Sequence, residues 1–390
     1  MVSGREAILQ GLAPDGGLFM PEQIPTLPPK FFKELSERSL PEIGFAVAQP
    51  FLSDDIEEPA LKSLVEETLS FPVPLVTLSD RQAILELFHG PTLAFKDFGG
   101  RFLGRLVAYF LRNSNREVTV LVATSGDTGS AVAHGFYQVP GIQVVLLYPR
   151  GKVSRIQEQQ LTTLGGNIQA LEVDGTFDDC QRMVKQAFVD PAITDKRSLT
   201  SANSINIGRL LPQSFYYFHA RALASREGRA SIDEPMVFSV PSGNFGNLTA
   251  GLFARRMGLP IAKFIAATNA NDVVVRYLES GVYSPQPPYY GRPPRGTHMR
   301  YPEACRSGVH DEGEDQRVER KRHRQHDGDA VEVLLHHRRS GGRRAHAPTE
   351  HVGEAAAFTR VHQHQDDQAQ GQQHLGDGGK DLHGNSEGTI

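Results

Sequence analysis

The sequence predicts an α/β protein with an open sheet, preceded by a small helical domain and followed by an irregular C-terminal quarter. Three observations favour this fold class. Apolar residues recur at helical spacing before residue 70, and continuous apolar runs then alternate with glycine-rich turns. After Ser284 aliphatic residues are sparse and lose all periodicity. We therefore divide the 390 residues into an N-terminal helical domain (1–80), a core (81–284) and an anomalous segment (285–390).

The N-terminal domain begins with a turn-rich segment at residues 13–25. Gly16 and Gly17 follow Asp15 there and suit the positive φ of a tight turn. Helical spacing follows in three groups: Phe31, Phe32 and Leu35; Ile43, Phe45 and Val47; and Leu61, Leu64, Val65 and Leu69. These groups predict a small helical domain, whose 13–25 loop is either structural or functional.

The first strand, turn and helix of the core cover residues 118–137. Residues 118–123 form a continuous apolar run, as in a parallel strand buried on both faces. Residues 124–130 (TSGDTGS) form a polar, glycine-rich turn, and the next strand is predicted at 142–148. Open α/β sheets bind ligands at the carboxyl ends of their strands, so this turn is a candidate ligand site. The alternative is an ordinary helix start, capped by Asp127 or Thr128.

The alternation of helices and strands continues to residue 278. Helices are predicted at 102–112, 156–164, 177–188 and 272–278, and strands at 168–173, 236–240 and 264–268. Cys180 lies on the third of these helices and is interpreted as a packing residue.

Residues 241–251 (PSGNFGNLTAG) form a second glycine-rich turn between a strand and a helix. Backbone N–H groups at such a helix start can bind a phosphate group. The turn lacks the Gly-Lys-Ser/Thr ending of a mononucleotide-binding loop. It also lacks the third glycine and the later acidic residue of a dinucleotide fingerprint. The pattern therefore predicts a phosphate-binding turn, here called the phosphate seat, that differs from both nucleotide-binding loops.

Residues 201–213 (SANSINIGRLLPQ) bring several amides close to an arginine. Asn203 and Arg209 can hold a carboxylate or a phosphate, and arginine can do so with two parallel hydrogen bonds. Taken alone, the same segment is more often a polar helix cap.

The segment HGPTLAFKDFGG, residues 89–100, contains the candidate catalytic lysine of the chain. Lys96 stands between Phe95 and Phe98, and a desolvated lysine has a lowered pKa and a nucleophilic amine. Such an amine can form a Schiff base with a carbonyl compound. The flanking glycines predict a loop that enters a helix near Arg101. The alternative is a lysine whose stem packs on the core while its ammonium reaches solvent.

Four strings resemble segments of threonine synthases, which belong to the tryptophan-synthase-β-like, fold-type II enzymes that use pyridoxal phosphate (PLP). HGPTLAFKDFG resembles the segment of the family that carries the PLP lysine. DGGL (15–18), TSGDTGSA (124–131) and NSIN-x-x-R (203–209) resemble three further family segments. The resemblance covers residues 1 to about 285.

The resemblance implies a two-lobed core with PLP between the lobes. It also implies conversion of O-phospho-L-homoserine and water to L-threonine and phosphate. Lys96 would hold PLP as a Schiff base and then transfer protons. The cofactor-binding residues implied by the second glycine-rich turn are Gly243, Asn244, Phe245, Gly246 and Asn247. The implied substrate-binding residues are Thr124, Ser125, Asp127, Thr128, Asn203 and Arg209.

Two departures from the family pattern leave other functions open. The family supplies a C-terminal Ser or Thr beside the pyridine nitrogen of PLP, and we find no counterpart in this sequence. The late strands and helices of the large lobe are also not recognisable after residue 284. One alternative is therefore a non-catalytic remnant that still binds PLP. Another is a related phospho-lyase that yields a keto acid.

The composition of residues 285–390 is unlike that of a packed domain. Twelve of the fifteen histidines lie there, beside 15 Lys or Arg and 16 Asp or Glu residues. These charges nearly cancel, which excludes a basic nucleic-acid-binding arm, and no helix or strand orders the histidines for a metal. Disorder, a histidine-rich arm and translation in a shifted frame are the alternatives. The abrupt loss of resemblance favours the frameshift, which predicts fast amide exchange throughout the segment.

The composition of the whole chain excludes several classes of protein. A formal net charge of −4 gives no global field for nucleic acid or a membrane surface. Two cysteines, Cys180 and Cys305, cannot build a disulfide framework and favour a reducing compartment. No apolar run approaches the ~18 residues of a membrane span. We expect a cytoplasmic monomer or homodimer that acts on a small molecule and needs no metal.

Overall fold

A computed structural model of the chain describes residues 1–15, 17–114, 117–268, 272–284, 320–321 and 331–335. The chain divides into two compact units, Met1–Ala266 and Ala267–Ile390, and every predicted site residue lies in the first. The predictions made for Gly16, for Cys305 and for the composition and exchange of most of segment 285–390 lie outside the described residues.

The first unit begins with helices, as predicted. They are α1 (Gly4–Gln10), α2 (Pro29–Lys33), the 3₁₀ helix η1 (Leu35–Glu37), α3 (Leu40–Leu52) and α4 (Glu58–Thr68). Ser3 and Ser39 start α1 and α3 through reciprocal hydrogen bonds with Glu6 and Glu42. Most residues of the predicted apolar stripes are buried, and Ile43, Val47, Leu61 and Val65 are fully enclosed. Phe32 and Phe45 are only partly buried. The helical N-terminal region of the predicted fold is thereby confirmed.

A short antiparallel hairpin, which the sequence analysis missed, leads to the Lys96 segment. Its strands are β1 (Leu75–Ser79) and β2 (Gln82–Leu85). Most of its residues are exposed, so the apolar periodicity that identifies a strand is weak here.

A four-stranded parallel sheet carries the predicted substrate residues. Its strands are β3 (Val118–Ala123), β4 (Ile142–Pro149), β5 (Ile168–Val173) and β6 (Ser198–Ser201), in the order β5-β4-β3-β6. The connecting helices are α6 (Asp127–Phe136), α7 (Arg155–Thr162), α8 (Phe177–Val189) and α9 (Pro191–Thr194). Every residue of β3 is buried, which agrees with the prediction of a parallel strand buried on both faces. Cys180 on α8 is buried in a small apolar cluster with Leu121 and Leu147, as the packing interpretation predicts.

The order of the strands creates a crevice between β3 and β6. The chain runs outward from β3 through β4 to β5, and it then returns to β6 on the other side of β3. The strands that follow β3 in the chain therefore lie on one side of it, while β6 lies on the other. This reversal is the switch point at which open α/β sheets bind ligands.

The helix that carries Lys96 is α5 (Lys96–Leu111), and it begins five residues before the predicted start near Arg101. Gly99 and Gly100, interpreted as loop residues, lie inside it because they permit close packing. A Cβ on Gly100 would stand 2.4 Å from the carbonyl oxygen of Ala131, and one on Gly104 would stand 2.2 Å from that of Gly135. We call Gly100, Gly104 and Gly135 the glycine seam. Along it, α5 contacts α6 through the main chain.

The described part of the first unit also contains four further helices and two further strands. The helices are α10 (Ile207–Leu210), the 3₁₀ helix η2 (Leu211–Ser214), α11 (Phe215–Arg226) and α12 (Gly246–Arg256). Strands β7 (Met236–Pro241) and β8 (Ile261–Thr268) are neighbours, and α12 connects them. The second unit contains α13 (Val273–Ser280) and an antiparallel pair, β9 (Arg320–Lys321) and β10 (Val331–Leu335). Within the described parts of the chain, no helix has the length and apolar character needed to cross a membrane.

Candidate active site

Lys96 is the first residue of α5 and lies half-buried. Burial lowers the pKa of its amine from the ordinary value, while Asp127 raises that pKa and Arg209 lowers it further. Both charged residues were predicted as site residues from separate segments of the sequence. The direction of the pKa change favours the neutral, nucleophilic form of the amine.

The loop before Lys96 is held by a residue that the sequence analysis missed. The fully buried carboxylate of Asp97 accepts hydrogen bonds from the N–H of Thr92 at 2.9 Å and from its hydroxyl at 2.7 Å. Burial raises the pKa of Asp97, and the two Thr92 bonds oppose this effect. A Cβ on Gly90 would stand 2.5 Å from this carboxylate, so glycine is required there. The available signal was a charged residue inside an apolar helix start, which needs a partner.

Thr124 shapes the turn after β3 from within. Its hydroxyl oxygen accepts hydrogen bonds from the N–H groups of Gly126 at 3.1 Å and Gly129 at 2.8 Å, and it donates to the Gly126 carbonyl at 3.0 Å. Neither Asp127 nor Thr128 caps α6, contrary to the alternative considered from the sequence, because Gly126 occupies the cap position at φ 140°. Thr124 thus orders the turn, and the side chains of Asp127 and Thr128 are not needed as helix caps.

Three other side chains of this turn, those of Ser125, Asp127 and Thr128, do not take part in ordering it. Asp127 accepts a hydrogen bond of 2.6 Å from Gln157 Nε2, which fixes its carboxylate near Lys96. The hydroxyls of exposed Ser125 and half-buried Thr128 make no hydrogen bond with any described residue. They can therefore bind a ligand without breaking a bond in the protein.

Arg209 is almost fully enclosed, with 1% of its surface exposed. Its Nη1 donates to the carbonyl of Ala202 at 2.6 Å, while its buried Nε finds no hydrogen-bond partner in the described structure. Burial lowers the pKa of Arg209 to about 10, so the guanidinium is still charged at neutral pH. A buried cation with an unused donor favours an anionic ligand.

Asn203 lies in the loop that follows β6, beside the crevice. Its side-chain Oδ1 is buried and has no partner among the described residues. Its neighbour Asn206 has a structural role instead, since its amide bonds to Ile8 and Ser201 and caps α10. The NSIN segment thus contains both an anchor and a free polar group.

The second glycine-rich turn leaves space at its centre. A Cβ on Gly243 would meet no atom within 4 Å, and one on Gly246 would approach nothing closer than 3.6 Å. Asn244 accepts a hydrogen bond from the Gly246 N–H at 3.3 Å and donates to Ser204 Oγ at 3.2 Å. Buried Phe245 adopts a left-handed φ of 59° immediately before α12. The Asn244–Ser204 bond joins this turn to the loop after β6.

Asn247, the last predicted residue of this turn, is anchored by two buried tyrosines of α11. Its Oδ1 accepts hydrogen bonds from the hydroxyls of Tyr216 at 2.6 Å and Tyr217 at 2.8 Å. The sequence analysis did not identify these tyrosines as site residues. Their signal was two phenol hydroxyls within a buried helix, each of which needs a partner.

Taken together, these residues fit a cofactor that carries an aldehyde and a phosphate. The aldehyde requires an uncharged amine, which the lowered pKa of Lys96 favours. The phosphate requires open space at a helix N-terminus, and Gly243 provides space immediately before α12.

Comparison with known proteins identifies the class. The family model "Pyridoxal-phosphate dependent enzyme" matches residues 77–345, and the model "Threonine synthase N terminus" matches residues 1–69. The chain belongs to the family of pyridoxal-phosphate dependent enzymes. This confirms the predicted fold class and the predicted cofactor.

Individual relatives agree with the resemblance found in the motifs. The chain is 49% identical over 284 residues to threonine synthase from Serratia marcescens, covering 73% of this chain and 65% of the relative. It also resembles the crystal structure of Escherichia coli threonine synthase, with a TM-score of 0.68, 47% identity and coverage of 73% and 65%. PLP-bound threonine synthase from Brucella melitensis gives a TM-score of 0.68, 40% identity and coverage of 73% and 62%. The chain thus spans slightly less than two thirds of the length of these relatives.

Proposed function

We propose that this chain is a threonine synthase, which converts O-phospho-L-homoserine and water to L-threonine and phosphate. One observation carries the proposal: the Lys96 amine, its pKa lowered by burial, lies within the electrostatic influence of both Asp127 and Arg209. These residues come from the start of α5, the turn after β3 and the segment after β6. The relatives from Serratia marcescens and Escherichia coli, 49% and 47% identical to the chain, are threonine synthases.

The residues that would hold PLP are Lys96, Gly243, Asn244, Phe245, Gly246 and Asn247. Lys96 would bind the aldehyde carbon, and the turn before α12 would bind the phosphate through backbone N–H groups and the Asn247 side chain. When bound, PLP supplies an electron sink for carbanions of the amino-acid substrate.

The substrate carries a carboxylate and a phosphate, and the crevice offers groups for both. Arg209 offers an unused buried Nε–H, while Asn203, Ser125 and Thr128 offer polar groups without partners among the described residues. Thr124 would contribute by ordering the turn that presents Ser125 and Thr128. Charge complementarity between Arg209 and the substrate would offset the cost of burying the guanidinium.

Lys96 would also move protons once its amine is released by the substrate. The reaction requires proton transfer at the α, β and γ carbons, and one mobile amine can serve all three. Asp127 favours the protonated amine and Arg209 favours the neutral amine. These opposing effects would keep both protonation states accessible during turnover.

The proposal is tested by incubating the full chain with PLP and O-phospho-L-homoserine, then measuring threonine, phosphate and keto acid. Equal amounts of threonine and phosphate, lost in Lys96→Ala, would support a threonine synthase. Phosphate with keto acid instead of threonine would identify a phospho-lyase. PLP absorbance without any product would identify a non-catalytic PLP-binding protein.

We also propose the three-part division at residues 80 and 284, a cytoplasmic location and a monomeric or homodimeric state. The division rests on the change of composition after Ser284. A shift of reading frame after codon 284 would explain this change of composition. Reading the coding DNA in all frames beyond that codon tests it. An alternative frame that restores the family's sequence would support it, and its absence would contradict it. Sedimentation of the purified chain gives the oligomeric state.

A further inference from the structure

Tyr216 and Tyr217 converge on the side chain of Asn247. Their hydroxyls lie 2.6 Å and 2.8 Å from Asn247 Oδ1, and Tyr217 also lies 2.9 Å from the Asn247 carbonyl oxygen. The exposed fraction of the surface is 2% for Tyr216 and 3% for Tyr217. Burial raises the pKa of both phenols, so both keep their protons and act as donors at neutral pH.

The two donors determine which way the Asn247 amide faces. An oxygen directed at the tyrosines accepts both phenol protons, whereas a nitrogen there would leave the Tyr216 proton unpaired in a buried position. Asn247 Oδ1 is therefore committed to the tyrosines. The amide NH₂ group makes no hydrogen bond with any described residue. Asn247 is the second residue of α12 and follows the open position at Gly243 by four residues.

Tyr216 also contacts the helix that carries Lys96. Its ring packs edge-to-face on Phe98, with 5.1 Å between centroids and 80° between planes. Phe98 lies two residues after Lys96 and is fully buried. One side chain thus touches both the lysine helix and the proposed phosphate seat.

We propose that Tyr216 and Tyr217 are positioning residues that hold the Asn247 amide with its NH₂ group facing the phosphate of the cofactor. The inference rests on the proposed PLP site and adds a role for two residues that do not themselves touch the cofactor. The tyrosines accept nothing from the ligand. They act by fixing the direction of one donor.

The test compares PLP with pyridoxal, which lacks the phosphate, in equilibrium titrations of the full chain followed by absorbance. The dissociation constant of pyridoxal divided by that of PLP measures what the phosphate contributes to binding. Any unfolded fraction affects both ligands alike and cancels from the ratio. The variants are Tyr216→Phe, Tyr217→Phe, the double variant and Asn247→Ala. Tyr109→Phe on α5, outside the site, is the matched control.

In the double variant the ratio should fall roughly tenfold, the effect of losing one oriented hydrogen bond to a charged group. Asn247→Ala should cause the same fall, and adding both tyrosine substitutions to it should change nothing further. In each single variant the ratio should fall less, because one tyrosine hydroxyl still donates to Asn247 Oδ1. Tyr109→Phe should keep the original ratio.

Three results would overturn the inference. An unchanged ratio in the double variant, with PLP still bound, would overturn it alone. A further fall when the tyrosine substitutions are added to Asn247→Ala would show that they act independently of the amide, which also overturns it alone. An absence of saturable binding of either compound by the unsubstituted chain would overturn the cofactor site itself, and the inference with it.

Discussion

The carboxylate of Asp97 and the backbone and hydroxyl of Thr92 form two hydrogen bonds, at 2.9 Å and 2.7 Å, across the loop that precedes Lys96. The residues between them include Leu93, which adopts a left-handed φ of 59° and is largely exposed. A strained residue persists only where its surroundings hold it. The Thr92–Asp97 pair supplies that support next to the reactive lysine.

Asp97→Asn should destabilise the protein by about 1–3 kcal/mol, because an amide can accept only one of the two Thr92 bonds. The free energy of unfolding in urea measures this loss. Asp178→Asn on the exposed surface of α8 is the matched control and should change stability by less than about 0.5 kcal/mol. Equal stability of Asp97→Asn and the unsubstituted chain would show that the pair does not hold the loop.

Lys96 should be the residue that borohydride reduction links covalently to PLP. The reason is its lowered amine pKa, which increases the fraction of reactive neutral amine. Peptide mass mapping of the reduced protein locates the label. Lys96→Ala should take up no label and lose all turnover. A label on any other lysine would disprove the assignment.

Gly243→Val should weaken PLP binding at least tenfold while leaving stability nearly unchanged. A side chain at this position meets no atom within 4 Å, so the free protein has room for it, but it would occupy the space proposed for the phosphate. Gly243→Ala should have a smaller effect on affinity, and Gly246→Val should act in the same direction as Gly243→Val. PLP titration and thermal unfolding of each variant separate binding from folding. Unchanged affinity in folded Gly243→Val and Gly246→Val would argue against a phosphate seat here.

His219 should make the protein sensitive to mild acid. Its Nε2 donates to the carbonyl of Val73 at 3.1 Å, and burial lowers the pKa of the ring to about 4. The unfolded chain binds this proton near pH 6.5, so stability is complete above that pH and is lost as the pH falls toward 4. The loss from this residue should reach roughly 3 kcal/mol at about 1.4 kcal/mol per pKa unit.

Urea unfolding between pH 7 and pH 4 measures this effect. His219→Gln keeps a donor for Val73 but has no proton to gain, so its stability should fall much less over the same range. Acidic residues titrate equally in both proteins and do not affect the difference. Identical pH dependences would refute a role for His219.

The sequence predicted the parts of the fold whose signal is local. Strands β3, β4 and β5 and helix α8 lie within a residue or two of their predicted positions, since each is a continuous or periodic apolar segment. The start of α5 was wrong because Gly99 and Gly100 were interpreted as helix breakers. Their reason for being glycine lies in Arg209 and Ala131, which are distant in sequence.

The same distinction applies to the candidate site. Lys96, the two glycine-rich turns and Arg209 were predicted because their residue types and order carry recognisable chemistry. Asp97, Tyr216 and Tyr217 were missed because their roles depend on contacts with other segments. Tyr216 and Asn247, for example, are 31 residues apart in sequence and meet only after α11 and α12 pack. Composition and periodicity contain no information about such a pair.

The glycine seam has a consequence for how this protein tolerates change. It places the main chains of α5 and α6 in contact, and its first contact, between Gly100 and Ala131, lies four residues after Lys96 on α5 and four residues after Asp127 on α6. The separation of the two backbones that carry Lys96 and Asp127 is therefore set by contact between main chains and not by side-chain packing. Accumulated substitutions elsewhere in the core can repack without changing that separation. A single added methyl group in the seam would change it from more than a helical turn away, so these glycines should resist evolutionary drift as strongly as the lysine itself.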